Sequence, residues 1–298
     1  MPYVTICPGL PPSSRLGFGC GSVMGRVGKA ESLRAVAAAL DAGITHFDVA
    51  RLYGYGEAEA LLGEALRGRR DRVVIASKFG LEPPRAASVL RRLKPLAQKM
   101  AGNVPGARPL LRSVIGTKEQ PADRFSVAAA RTALEQSLAA LRTDYLDILF
   151  LHDCGPDDLR DELVGFLDDQ VAAGAIRSYG VATDIETVTR VRRRHGDSIV
   201  CQFGNSLIVP NAARLPAGKP RFICHSPFLG ADRLRKALNT NDTHRLMLEA
   251  ALAAEGVAVV LCSMLDRGHL RANVAAVTEP RYTADDLRAC AARLAAAA

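Results

Sequence analysis

The chain predicts an α/β protein, a single (β/α)8 (TIM) barrel over residues 1–298 with an N-terminal hairpin, a long loop after the third strand and an extra C-terminal helix. Three observations point there. Eight short runs rich in β-branched and apolar residues alternate with longer stretches whose apolar positions recur at three and four. Eight such units fit a chain of 298 residues, whereas a doubly wound sheet commonly stops at roughly five to seven strands. No composition shift marks a domain boundary.

In order, Tyr3–Ile6 and the turn-rich Pro8-Gly9-Leu10-Pro11-Pro12 suggest a hairpin closing the barrel floor. Strands are expected at Leu16–Cys20, Ile44–Val49, Val73–Lys78, Tyr145–His152, Ile176–Ala182, Ile199–Phe203, Arg221–His225 and Val257–Ser263. Helices are expected at 31–42, 57–67, 126–141, 159–173, 185–195, 242–255 and 267–276, with a less regular stretch after the sixth strand and a further helix at 282–297. Thr183-Asp184 and Asp266 read as helix caps. Residues 79–125 are far longer than a βα connection needs and start at a strand's C-terminal end, where such loops form lids.

Composition excludes several classes. No apolar run approaches a membrane span and residues 1–15 lack a secretory pattern, so a cytoplasmic protein with no membrane partner is expected. Seven cysteines stand singly without C-x-x-C spacing and read as packing, and no metal site is expected. The net charge of +8 is mostly local: residues 81–124 hold nine Lys/Arg against Glu82, Glu119 and Asp123. With 5% aromatics and no Trp, the chain lacks a stacking platform for nucleic acid. The cations Arg190, Arg192, Arg193 and Arg194 with His195 fall at a helix C-terminus, where they complement the dipole.

In a barrel, chemistry gathers where strands end. Asp48 ends the second strand, Tyr53 follows in its loop, Lys78 ends the third strand and His152 the fourth. Each alone also suits a bland role: Asp48 as a turn former, Tyr53 as half-buried packing, His152 as a structural histidine. Lys78 tips the balance, because a lysine facing a barrel mouth needs a carboxylate, and Asp48 is on the neighbouring strand. That ammonium beside the Tyr53 phenol would favour the phenolate and make the group a usable acid and base near neutral pH. His152 could polarise a substrate oxygen. Asp153, beside it, reads as a turn former because adjacent strand residues point to opposite faces.

The run from Phe47-Asp48-Val49-Ala50-Arg51-Leu52-Tyr53-Gly54-Tyr55-Gly56 through Glu64-Ala65-Leu66 resembles the Asp/Tyr signature region of the aldo-keto reductase superfamily. Ala76-Ser77-Lys78, Leu151-His152-Asp153, Tyr179-Gly180-Val181, Gln202 and Ser226-Pro227 extend the resemblance over about Leu16 to Val274. It implies a nicotinamide dinucleotide bound without a Rossmann domain, in keeping with the lack of a G-x-G-x-x-G between a strand and a helix, and a tetrad of Asp48, Tyr53, Lys78 and His152. Tyr53 would then protonate the carbonyl oxygen; Tyr55 is its rival, given instead to the lid or substrate.

The resemblance also implies cofactor contacts at Gly19, Cys20, Thr183, Gln202, His225, Ser226, Pro227, Ser263, His269 and Asn273. Departures cluster there. Ala182-Thr183 replaces the usual Ser-Asn, His225 stands where a Tyr commonly stacks on the nicotinamide, and Met264 falls among the usual anchors. Ser263, His269, Arg267 and Arg271 favour NADP(H), while Asp266 opposes a phosphate, so NADP(H) is expected with NAD(H) also usable. The pocket walls are assigned to Cys20, Arg51, Tyr55, Phe79 and loop 80–124, and Arg51 with Tyr55 at the mouth favours a polar carbonyl or sugar. The reading is an NAD(P)-dependent oxidoreductase interconverting an aldehyde, ketone or aldose and an alcohol, as a monomer or weak homo-oligomer. Its alternatives are a non-catalytic dinucleotide-binding sensor or partner subunit, and a Schiff-base lyase using Lys78.

Overall fold

In the computed structural model, which describes residues 1–83, 121–216, 218, 221–238 and 242–296, the strands predicted by the alternating runs close into a barrel. A two-stranded hairpin, β1 (Tyr3–Val4) and β2 (Ser13–Ser14), precedes them. The barrel strands are β3 (Leu16–Gly19), β4 (His46–Asp48), β5 (Val74–Phe79), β6 (Leu146–His152), β7 (Ile176–Ala182), β8 (Val200–Gly204), β9 (Phe222–His225) and β10 (Val257–Cys262). They pair in parallel in sequence order, and β10 closes on β3 with Leu261 opposite Gly17. The helices outside are α1 (Lys29–Asp41), α2 (Ala58–Ala65), α3 (Val127–Leu141), α4 (Asp161–Ala172), α5 (Ile185–His195), α6 (Ala231–Leu238), α7 (Thr243–Ala253), α8 (Arg267–Thr278) and α9 (Ala284–Ala296).

Boundaries move by at most two residues from the expected ones. Helix α6 was not expected at all: its Ala-Asp-Arg-Leu-Arg-Lys-Ala-Leu stretch is short and strongly amphipathic, and it follows the seventh barrel strand as an additional piece before α7. The less regular stretch after β8 contains a 3₁₀ turn at Asn211–Arg214. The expected lid falls mainly on residues 84–120, outside the described residues.

The period of two along each strand separates two apolar layers. Ile75, Phe79, Leu149, Leu151 and Cys262 face outward into the layer between sheet and helices. Val74, Ala76, Ile148, Phe150, Val200, Ile223, Val259 and Leu261 face inward. Ile6, Cys7 and Leu10 join that inner layer, so the hairpin segment plugs the barrel's floor. Ser14 stitches the plug in place: its Oγ accepts from the backbone N–H of Thr45 and His46 at 2.9 and 3.2 Å, while its own N–H donates to Thr45 Oγ1 at 2.9 Å. Gly180 lets β7 and β8 pair closely, since a Cβ there would lie 1.9 Å from the Val200 carbonyl oxygen.

The helix starts follow the capping residues. Asp184 accepts from Thr187 N at 2.9 Å at the start of α5, and Asp266 accepts from Gly268 N and His269 N at 2.7 and 3.0 Å at the start of α8. Ser126, unforeseen as a cap, accepts from Ala129 N at 3.2 Å at the start of α3.

Candidate active site

The inward parity that buries Val74 and Ala76 also turns Lys78 into the barrel, and the same parity turns Asp48, His152, Gln202 and His225 toward the mouth. Lys78 and Asp48 are 2% and 3% exposed, and Lys78 Nζ donates to Asp48 Oδ1 at 2.6 Å and to the Val49 carbonyl at 3.1 Å. Gln202 Nε2 donates to Asp48 Oδ2 at 2.6 Å, so both carboxylate oxygens are engaged. Burial works against the Lys78 ammonium, but Asp48 and Tyr53 together outweigh it and hold its pKa above the usual lysine value.

Tyr53 follows in a tight turn. Gly54, Tyr55 and Gly56 all have positive φ, of 59°, 60° and 88°. At Gly54 a Cβ would lie 2.7 Å from the Val23 oxygen and Met24 Cβ, and the left-handed Tyr55 costs about 1–2 kcal/mol. The turn sets the Tyr53 ring 5.0 Å from Lys78 Nζ and edge-on to His152, with centroids 6.0 Å apart at 88°. Lys78 pulls the Tyr53 pKa down, but burial, the Asp48 charge and Cys20 together push it above the ordinary tyrosine value. Lys78 thus favours the phenolate, as expected from the sequence, while burial and the Asp48 charge oppose it. Burial and then Lys78 lower His152 to about 3, and its Nδ1 is buried without a hydrogen-bond partner among the described residues. His152 is a neutral imidazole.

A cavity of about 510 Å³ opens over these groups, lined by Gly19, Gly21, Ser22, Asp48, Tyr53, His152, Gln202, His225, Ser226, Pro227, Phe228 and Ser263 among others. A second hollow of about 320 Å³ shares Tyr53, His152, Gln202 and His225 and adds Lys78, Leu81, Asp153, Thr183 and Asp184. At Ser263 the first cavity meets a larger basic one of about 640 Å³, lined by Arg26, Arg34, Arg267 and His269 with Glu31 and Asp266.

Several residues assigned from sequence lie elsewhere. Phe79 directly follows the inward Lys78, so it points outward; it is fully buried against Phe125, with centroids 5.8 Å apart, and lines none of these cavities. Cys20 is likewise fully buried in the outer layer, and its thiol is pushed up by burial. Asn273 is buried on α8 and lines none of the three hollows. Arg51 does not project as a free cation: its Nε and Nη2 donate to the two Glu82 oxygens at 2.7 and 2.8 Å, and Nη2 also reaches Gln136 Oε1. Tyr55 is half-buried in its turn and is absent from the walls of all three hollows. The Thr183 hydroxyl donates to the Cys154 carbonyl at 2.8 Å, leaving only its lone pairs for a ligand. Asp266 spends its carboxylate on the first N–H groups of α8, where an anion would otherwise bind.

Sequence reasoning missed Ser22, Arg26, Arg34 and Phe228. Arg26 and Arg34 come from the first loop and α1 yet face the start of α8, because closure makes the first and last strands neighbours. That adjacency was the available signal.

A buried ion pair, a tyrosine and a histidine thus gather at the C-terminal mouth of a closed parallel barrel, beside an open cleft. The model of the aldo/keto reductase family matches residues 15–214, and the chain belongs to that family. Among curated relatives it is 33% identical to a 6-dehydroglucose reductase of Novosphingobium aromaticivorans over 164 residues, 51% of this chain and 41% of that protein. It is 28% identical to an aldo-keto reductase of Bacillus subtilis over 190 residues, 61% of this chain and 47% of that one. The chain thus spans about half the length of the curated relatives it matches. Among solved structures, the holo form of an aldo-keto reductase from Bacillus halodurans shares the fold, with a TM-score of 0.74 at 24% identity over 99% of this chain and 96% of that one. An aldo-keto reductase of Klebsiella pneumoniae in complex with NADPH matches with a TM-score of 0.64 at 25% identity, covering 94% and 90% of the two chains. No helix among the described residues is long and apolar enough to cross a membrane.

Proposed function

We propose that the chain is an NADP(H)-dependent reductase of small polar aldehydes, ketones or aldoses, with Tyr53 as the proton donor. One observation carries the reading: the buried Lys78–Asp48 pair stands beside a half-buried Tyr53 at the wall of an open cavity. The residues present fit a dinucleotide, because a polar, histidine-lined cavity joins a basic one at Ser263, and the related Klebsiella pneumoniae protein was solved with NADPH. Gln202, His225, Ser226, Pro227 and Ser263 would hold the nicotinamide half, and Arg26, Arg34, Arg267 and His269 the phosphate-bearing end. When bound, the nicotinamide supplies the hydride.

Tyr53 holds its proton toward the substrate oxygen, and as charge develops there the Lys78 ammonium stabilises the forming phenolate. Asp48 keeps Lys78 charged and in place. Neutral His152 offers a ring N–H to the same oxygen. Lys78 is no Schiff-base nucleophile in this arrangement: it is held as an ammonium by Asp48 and the Val49 carbonyl and is nearly inaccessible.

The test is NADPH turnover against a panel of carbonyl compounds and aldoses, with NADPH affinity measured by fluorescence titration. Tyr53→Phe should lose nearly all turnover while its NADPH dissociation constant stays within about twofold. A Phe variant that turns over like the parent refutes the role, and a parent that binds NADPH without turning over any panel member favours a non-catalytic binding protein.

A further inference from the structure

Arg51 stands two residues before Tyr53, where a surface arginine would be free to swing. It is instead one of the better-held side chains near the mouth, only 13% exposed, with its guanidinium fork matched to both oxygens of Glu82 at 2.7 and 2.8 Å. Glu82 lies just beyond the end of β5, at the root of the long segment that follows Lys78. The same Nη2 group bonds Gln136 on α3, the helix that follows that segment. The guanidinium therefore joins three pieces of chain that are distant in sequence: the Tyr53 turn, the exit of β5 and α3.

A second contact runs in parallel. A Cβ at Gly56, at the end of the Tyr53 turn, would lie 3.1 Å from Pro83 Cγ, so this turn rests on the residue next to Glu82. Leu81, on the other side of Glu82, shares a hollow with Tyr53 and Lys78. The turn itself holds three successive positive φ values, a conformation that the local sequence favours only at its two glycines. Something outside the turn must hold it, and Arg51 is placed to do so.

We infer that Arg51, through its bidentate ion pair with Glu82, is a positioning residue that fixes the turn presenting Tyr53 to the substrate oxygen. The inference rests on Tyr53 being the proton donor. It assigns Arg51 a role in orienting that donor, with no direct contact to substrate. Because Glu82 is 44% exposed, the pair adds little to global stability, so its effect should show in the site and not in the melting temperature.

The experiment labels Tyr53 as 3-fluorotyrosine and follows its ¹⁹F resonance, alongside NADPH turnover, in the parent, Glu82→Gln, Arg51→Glu and the charge-exchanged Arg51→Glu/Glu82→Arg. The parent should show one narrow resonance. Glu82→Gln and Arg51→Glu should broaden or split it and lower its titration midpoint as the phenol becomes more accessible. Their melting temperatures should stay near the parent's, and kcat should fall about tenfold or more with KM for NADPH unchanged. The exchanged double variant should recover the narrow line and most of the lost kcat. An unchanged resonance and midpoint in Glu82→Gln overturns the inference whatever the turnover. A double variant no better than Arg51→Glu alone does the same. If the parent reduces no carbonyl, the functional reading fails, and the ¹⁹F spectra still decide whether the ion pair fixes the Tyr53 turn.

Discussion

Lys78→Met separates the electrostatic role of the lysine from its packing. The change keeps most of the side-chain volume but removes a charge that sits 2.6 Å from Asp48 and 5.0 Å from the Tyr53 ring centroid. At an effective dielectric of about 20, a unit charge 5.0 Å away is worth about 3 kcal/mol to a forming phenolate, so turnover should fall by roughly a hundredfold. Stability suffers separately. Asp48 is 3% exposed and would keep, among the described residues, only Gln202 as a side-chain donor, and a buried carboxylate stripped of its cation costs about 3–5 kcal/mol. Steady-state turnover and thermal denaturation read the two effects, and Lys78→Met/Asp48→Asn should recover most of the stability but none of the turnover. The pH dependence has a definite sign. The folded pKa of Lys78 is raised above 10.5, so its contribution is complete below that value and disappears only as pH rises through the folded pKa. The gap in melting temperature between parent and Lys78→Met should be constant from neutral pH to about pH 9 and close in stronger alkali. A Lys78→Met protein with parental melting temperature and pH–rate profile would refute the pairing.

Three further outcomes follow from the geometry. Phe79→Ala should cost about 3–5 kcal/mol of stability, because the ring is fully buried against Phe125, yet leave KM for any carbonyl substrate nearly unchanged; a selective rise in KM at constant melting temperature would put Phe79 back on the pocket wall. Arg34→Ala/Arg267→Ala should weaken NADPH binding about tenfold and flatten its salt dependence while sparing NADH, as titration at several ionic strengths would show; equal losses for both cofactors would remove the phosphate from that cavity. His46 is fully buried and lowered to about 4, mainly by burial, so the unfolded chain takes up its proton first and stability falls as pH drops from about 6.5 toward 4; His46→Gln should lessen that fall in a series of melting curves, and an identical slope would exclude the histidine as its source.

The sequence by itself determined the barrel, the order of its strands and the residues at their ends. Period-two and period-3.6 patterns are local properties, and the strand ends carrying Asp48, Lys78 and His152 follow from them directly. The same period could have removed two errors. Phe79 follows an inward Lys78, so it had to face outward; Cys20, beside Gly19, sits in the outer layer in the same way. Helix α6 was illegible because its eight residues lie between Gly230 and the Asn239-Thr240-Asn241 run, so the stretch reads as part of a loop.

Only the tertiary structure decided how the groups share charge. Whether Tyr53 is a phenol or a phenolate depends on Lys78 attracting the anion against burial and the Asp48 charge, and no spacing along the chain measures that balance. Arg51 was assigned to the pocket wall because its partner Glu82, 31 positions away across the Tyr53 turn, is not visible from spacing. Arg26 and Arg34 became neighbours of α8 only when β10 closed on β3. Sequence patterns fix which face a side chain takes; ion pairs, desolvation and the meeting of chain ends depend on distances through space, which only the closed barrel sets.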